Sequence, residues 1–221
     1  MVERGMVEWA PGRVVTTRVA GAGGGRPLVL AHGAGTDQDH DLVTGLRDGL
    51  AAAGIPVVTF DYPYTAEGRR RPDRPDVLLA CHAAVVDAVG ERSGAEPVIG
   101  GRSMGGRMAT MLAAGGAGIG PVEVAGVVAF AYPLHPAGKP DRLRVEHLSR
   151  IEVPVLMVVG DRDTMCRLDL YDEHVRPLGP VTTHVLAGAD HSWRVTKASG
   201  RTRPEVVVEA VAATVGWLSG L

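Results

Sequence analysis

The stretch Gly101-Arg102-Ser103-Met104-Gly105 carries the side chain best placed for covalent chemistry in this sequence. It follows the apolar run Pro97-Val98-Ile99 and precedes a helix-like stretch that begins near Met104. A serine on a sharp strand-to-helix turn projects its hydroxyl from the top of a sheet. The backbone is crowded there, so the positions two before and two after must be small, and both are glycine. A serine hydroxyl is a weak nucleophile at neutral pH. It needs a base within hydrogen-bond reach and a third group that fixes the base's tautomer and stabilises its cation.

Eight histidines compete for the role of base. His191, within Gly188-Ala189-Asp190-His191-Ser192, follows the last predicted strand and so lies at the carboxyl edge of the sheet, where open α/β folds place their sites. His82 and His174 fall in helical stretches, and His147 and His184 have no distinguishing context. Gly160-Asp161-Arg162-Asp163 ends another apolar run. Asp163, three residues past the glycine, has room to turn back toward His191, whereas Asp161 is better placed to pair with Arg162 or a nearby backbone N–H. Asp163 is therefore the favoured acid and Asp161 the alternative. The order Ser103, Asp163, His191 is the one expected when the serine comes first and the histidine last.

An oxyanion formed by attack needs preorganised N–H donors. Met104 N–H, at the helix start, is one. The second is expected from His32-Gly33-Ala34-Gly35, with Ala34 preferred and Gly33 or Gly35 as alternatives. His32 reads as a brace for this loop. Tyr64, Tyr132 and His135 lie in proline-containing segments after strands, where they either contact a substrate or merely stiffen turns. Arg102 suits a substrate carboxylate or, equally, a neighbouring loop. Trp193 either walls the site or packs on the last helix, and Arg69-Arg70-Arg71 reads as a solvated loop.

The elements that must hold these residues alternate strand and helix, which predicts a mostly parallel sheet with helices on both faces. Strands are expected at Val14–Val19, Pro27–Ala31, Ile55–Phe60, Pro97–Ile99, Val122–Phe130, Val153–Val159 and Thr182–Leu186. Helical spacing marks Asp41–Ala53, Val77–Val89, the segment of Met104, Met108, Met111 and Leu112, a short stretch at Asp169–Arg176, and Glu205–Leu218. The last helix is expected to bury Val207, Val208, Val211, Val215 and Leu218. Gly21 to Arg26 reads as a flexible turn. About twenty residues separate Ala131 from Val153, too few for a helical lid, so the site should be shallow and open.

With 221 residues and 45% hydrophobic content, the chain fits one domain with a substantial core. A net charge of −2 calls for neither nucleic acid nor an anionic membrane. No run of about 18 apolar residues exists to span a bilayer. Met1 to Trp9 contains Glu3 and Glu8 and no apolar segment, which predicts no signal peptide. Cys81 and Cys166 show no metal-ligand spacing or disulfide framework and read as reduced thiols, which fits a cytoplasmic protein. Of 23 basic residues only Lys139 and Lys197 are lysine, and a bias of codon usage accounts for that. A homo-oligomer is compatible with this composition.

His32-Gly33-Ala34-Gly35, Gly101 to Gly105, Gly160 to Asp163 and Asp190-His191 together resemble the landmarks of the α/β-hydrolase fold. Further stretches are similar to a small lidless group near the dienelactone-hydrolase-like enzymes. They include Leu30 to Gly35 with Asp39-His40, Gly105-Gly106-Arg107, Tyr132 to Pro136 and Gly138-Lys139-Pro140. That group includes testis-expressed hydrolase-like proteins and a hydrolase-like subunit of a chromatin acetyltransferase complex. The resemblance implies a serine hydrolase acting on a small ester or thioester without metal or organic cofactor. It differs from true dienelactone hydrolases, which carry cysteine where Ser103 stands, so their substrate does not transfer. Some relatives act as scaffolds, and an interaction module is the alternative function. The joint presence of serine, acid and histidine speaks for catalysis.

Overall fold

A computed structural model describes residues 2–22, 24–120 and 122–221, together with all side chains in them except that of Ala117. Met1 and Gly23, which belong to the amino-terminal segment and the Gly21–Arg26 turn considered above, lie outside the described residues. Eight strands form one sheet in the order β1-β2-β4-β3-β5-β6-β7-β8. They are β1 (Val2–Ala10), β2 (Arg13–Ala20), β3 (Leu28–Ala31), β4 (Val57–Phe60), β5 (Val98–Arg102), β6 (Gly126–Phe130), β7 (Val155–Gly160) and β8 (Val181–Leu186). From β4 onward across the sheet every pairing is parallel, while β1–β2 and β2–β4 are antiparallel.

The inner strands are apolar throughout because both faces are covered. Alternate residues still serve different layers. In β3, Leu28 and Leu30 join the core under α1 (Asp41–Ala52) and α6 (Arg203–Leu218), and Val29 and Ala31 join the core under α3 (Pro75–Ser93) and α4 (Met104–Ala113). Strand β7 divides the same way, with Leu156 and Val158 on the first side and Met157 and Val159 on the second. Two short helices complete the chain, α2 (Pro63–Ala66) and α5 (Leu168–His174). Helix α3 begins with Pro75 in its first turn and stops at Gly94, whose φ is 66°. Helix α6 opens with a reciprocal capping box, Thr202 accepting from Glu205 N–H and Glu205 accepting from Thr202 N–H.

The structure corrects several expected boundaries. Strand β1 was not anticipated, because its alternation is between exposed and half-buried positions on a sheet edge rather than between core and solvent. Strand β6 starts at Gly126 rather than Val122; a Cβ at Gly126 would sit 2.8 Å from the Trp217 ring, so Trp217 closes over the strand's start. In α6 the fully buried line is Val206, Ala210 and Thr214, and Val207, Val211, Val215 and Leu218 are half-buried against the same core; of the expected residues only Val208, 67% exposed, faces out. Between β6 and β7 the only helical piece is a short 3₁₀ turn at Leu148–Arg150. Nothing in that connection forms a lid. Among the described residues no helix is long and apolar enough to cross a membrane.

Candidate active site

Ser103 sits between the last residue of β5 and the first of α4, with φ 51° and ψ −112°. This is a costly conformation for a residue with a side chain, held by its neighbours. Its N–H donates to Phe130 O of β6 at 2.8 Å, and its carbonyl accepts from Arg107 N–H at 3.0 Å. The glycines around it are required by contact. A Cβ on Gly105 would lie 2.5 Å from Ala31 O, and one on Gly101 2.4 Å from the Gly105 carbonyl carbon, so α4 can meet the strand ends only if both are bare. Gly106, noted above in the stretch Gly105-Gly106-Arg107, is equally confined, a Cβ there lying 2.7 Å from Gly101 O. The other non-glycine residues with positive φ among those described are Ala131 and Trp193, at the end of β6 and in the loop of His191. Backbone strain is therefore concentrated around Ser103.

One chain of hydrogen bonds joins the serine to a base and an acid. Ser103 Oγ lies 2.9 Å from His191 Nε2, and His191 Nδ1 lies 2.7 Å from Asp163 Oδ2. With Asp163 as a carboxylate it can only accept, so Nδ1 carries the proton and Nε2 is left to accept from the serine hydroxyl. Asp163 is 3% exposed, and its other oxygen accepts from Met165 N–H at 2.7 Å. Asp161 is exposed and faces away, its Oδ1 accepting from Gly188 N–H at 2.7 Å. Gly160 makes the acid's approach possible, since a Cβ there would lie 2.2 Å from Ala189 O, two residues before His191.

Two arginines clamp the His191 loop. The Arg102 guanidinium, nearly buried, donates to His191 O at 2.8 Å, and Arg203 donates to Ser192 O at 3.0 Å while pairing with Asp41. Asp190 caps the same loop by accepting from Ser192 and Arg194 N–H. Burial, and after it the Arg203 charge, pull the Arg102 guanidinium below its ordinary range. Of the two readings of Arg102, the structure displays the loop brace. Trp193 is fully buried, packed edge-on to Phe130 and grouped with Val206 and Ala210 of α6, which is the packing alternative.

The loop after β3 runs beside the serine, a Cβ on Gly33 coming 3.7 Å from Ser103 Cβ. His32 braces it. Tyr62 N–H donates to His32 Nε2, so His32 Nδ1–H donates to Gly33 O at 2.8 Å, and burial holds the ring neutral by lowering its pKa. Gly35 N–H donates to the Tyr64 hydroxyl at 3.3 Å and is thereby occupied, whereas Gly33, Ala34 and Met104 N–H have no such partner among the described residues. Three residues considered for substrate contact are instead fixed internally. Tyr64 is fully buried on this loop, and Tyr132 is fully buried with its hydroxyl donating to Arg144 O at 2.6 Å. His135 is 1% exposed, with Nδ1 3.0 Å from Pro136 O. Proline-bearing segments gave no signal to separate lining from bracing, since both place an aromatic ring after a strand.

Solved structures share this architecture. A dienelactone hydrolase from Anabaena variabilis superposes with a TM-score of 0.76 at 16% identity, over 100% of this chain and 97% of that one. Est1E from Butyrivibrio proteoclasticus gives 0.73 at 15% identity, over 99% of both chains. A serine hydrolase without a lid from Xanthomonas campestris gives 0.66 at 17% identity, over 99% of this chain and 92% of that one. At such identities the likeness is one of fold, the mostly parallel, lidless sheet described above. The model of the family described as an alpha/beta hydrolase domain matches residues 25–219, and the chain belongs to that family.

Proposed function

We propose that this protein is a serine hydrolase that cleaves small esters or thioesters through an acyl-enzyme, a carboxylic-ester hydrolase in reaction class. The observation that carries the reading is the unbroken Ser103–His191–Asp163 hydrogen-bond chain at the carboxyl edge of the sheet. In this reading Ser103 Oγ attacks the carbonyl carbon while its proton passes to His191 Nε2. Asp163 stabilises the imidazolium through Nδ1–H. Met104 and Ala34 N–H receive the developing oxyanion, a contribution of about 3–4 kcal/mol where one such donor is removed. The imidazolium then protonates the departing alkoxide or thiolate, and water repeats the sequence on the acyl-serine to release the acid. Each proton transfer uses residues already in contact, so the route calls on no metal or organic cofactor.

The finer placement near the testis-expressed and chromatin-complex hydrolase-like proteins rests on Leu30 to Gly35, Gly105 to Arg107 and Tyr132 to Pro136, and belongs to the same proposal. So does a cytoplasmic setting, in which the buried thiols of Cys81 and Cys166 stay reduced. Exposure to a fluorophosphonate followed by intact-mass analysis tests the catalytic reading. One adduct is expected on the unaltered protein and none on Ser103→Ala, with ester turnover in that variant reduced by about 10⁴-fold or more. A folded protein that takes up no adduct would overturn the reading in favour of an interaction module.

A further inference from the structure

Arg107 and Arg144 differ from the other arginines of this molecule. Among the arginines that are not exposed, Arg18 pairs with Asp39, Arg47 with Asp48 and Arg201 with Glu209. Arg102 and Arg203 donate to loop carbonyls, and Arg203 pairs with Asp41 as well. Arg107 is half-buried, its Nε is shut away from solvent without a partner, and its side chain donates no hydrogen bond among the described residues. Arg144, also half-buried, makes only one long side-chain contact, 3.5 Å to Pro133 O. The acids of the same connection, Asp141, Glu146 and Glu152, are exposed and form no ion pair with either.

The two guanidiniums lie in each other's field. Arg144 is held below its ordinary range first by burial and then by the Arg107 charge. Their segments pack together, with Thr110 of the same turn of α4 as Arg107 lying 2.9 Å from His147 Nε2, three residues past Arg144. Two half-buried cations there with no ion-pair partner among the described residues are a costly arrangement, which an anion would relieve. Their position relates them to the serine. Arg107 lies in the first turn of α4, its N–H donating to Ser103 O at 3.0 Å. Arg144 is anchored to the end of β6, its carbonyl accepting from Tyr132 and its N–H donating to Leu134 O. Tyr132 is two residues from Phe130, whose carbonyl accepts from Ser103 N–H.

We propose that Arg107 and Arg144 form a subsite for an anionic group, a carboxylate or a phosphate, on the substrate that Ser103 attacks. The proposal deepens the hydrolase reading and rests on it for the position of the reacting ester. Guanidinium groups suit this task because their fork of N–H donors matches carboxylate and phosphate oxygens in pairs. Arg107 is not part of the triad or of its clamp, so its charge is available to a ligand.

Calorimetric titration of the Ser103→Ala protein, which binds without cleaving, tests the subsite apart from turnover. Monophenyl glutarate is expected to bind at least ~10-fold more tightly than phenyl valerate, the preference shrinking as salt rises. Arg107→Gln and Arg144→Gln should each abolish most of that preference, and Arg107→Lys should restore part of it by returning the charge without the fork. Equal affinity for the two esters in the folded Ser103→Ala protein would overturn the subsite even if the unaltered protein hydrolyses esters. Preferential binding of the anion by a protein that turns over no ester would uphold the subsite and overturn the hydrolase reading. Competition separates the two anions: inorganic phosphate displacing the glutarate ester more effectively than free glutarate assigns a phosphate, the reverse assigns a carboxylate, and displacement by neither refutes the proposal.

Discussion

The two sides of Ser103 are built on opposite principles. On the His191 side the triad is fully engaged and its loop is held: Asp163 accepts twice, His191 is engaged at both ring nitrogens, and Arg102 and Arg203 hold the loop by its carbonyls, although Arg102 Nε is itself buried without a partner. On the Arg107 side, two half-buried cationic groups have no ion-pair partner among the described residues. Saturation fixes geometry, which proton relay needs to a few tenths of an ångström. Unsatisfied charge stores binding capacity. The same residue type thus serves rigidity on one side and, in our proposal, recognition on the other.

The largest effect should come from breaking the saturated side at its buried end. Asp163→Asn is expected to lower ester turnover by about 10³–10⁴-fold, because the amide favours the wrong imidazole tautomer. Asp161→Asn, on a carboxylate that bonds only Gly188 N–H, should leave turnover within about twofold. Comparable losses in both variants would refute the assignment of the acid.

Acid reaches the other side. Burial pushes His147 down to about 4, helped by the charges of Arg107 and Arg150, and His82 down to about 3. Both rings stay neutral in the fold while the unfolded chain protonates them near the usual 6.5. The unfolded state therefore binds more protons below that value. Stability is complete above pH 6.5 and falls as pH drops toward 4 and 3, by roughly 1.4 kcal/mol per unit for each group. Urea midpoints between pH 7.5 and 4 should show the decline. His147→Gln should flatten its upper part; an unchanged slope would remove His147 as a cause.

Arg102→Met sharpens the contrast between a structural and a recognition arginine. Loss of a charged bond to His191 O should reduce kcat by about 10-fold or somewhat more, with little change in KM and with salt dependence unaltered. A change confined to KM would mean that Arg102 contacts substrate after all. Smallest of all should be Arg74→Ala, which removes an exposed pair with Asp76 at 3.2 Å and should move the melting temperature by no more than about 2 °C.

Much of this was legible in the chain because it is local. Apolar runs and helical periods depend on residues within one element, so the inner strands and long helices could be placed to within a few residues. The serine turn depends on five consecutive residues, and its glycines announce the crowding that the structure displays. Strand β1 was hidden because an edge strand that is only half covered lacks a sharp alternation. Which valines of α6 go deepest was hidden because Val206, Val207 and Val208 are equally apolar, and only packing separates them: Val207 and Val211 meet α1 at Gly45 and Gly49, Val206 is fully buried and Val208 faces out.

By itself, the sequence determined the order of strand and helix, the position of the serine turn, and the presence of an acid and a histidine after later strands. These follow from short-range sterics and periodicity. Tertiary structure alone decided that Arg102 braces a loop, that Tyr64 and Tyr132 are internal ties, and that Arg107 and Arg144 stand without an ion-pair partner among the described residues. Each of those outcomes depends on which groups from distant parts of the chain compete for one partner at about 3 Å, and residue spacing along the chain does not encode that competition.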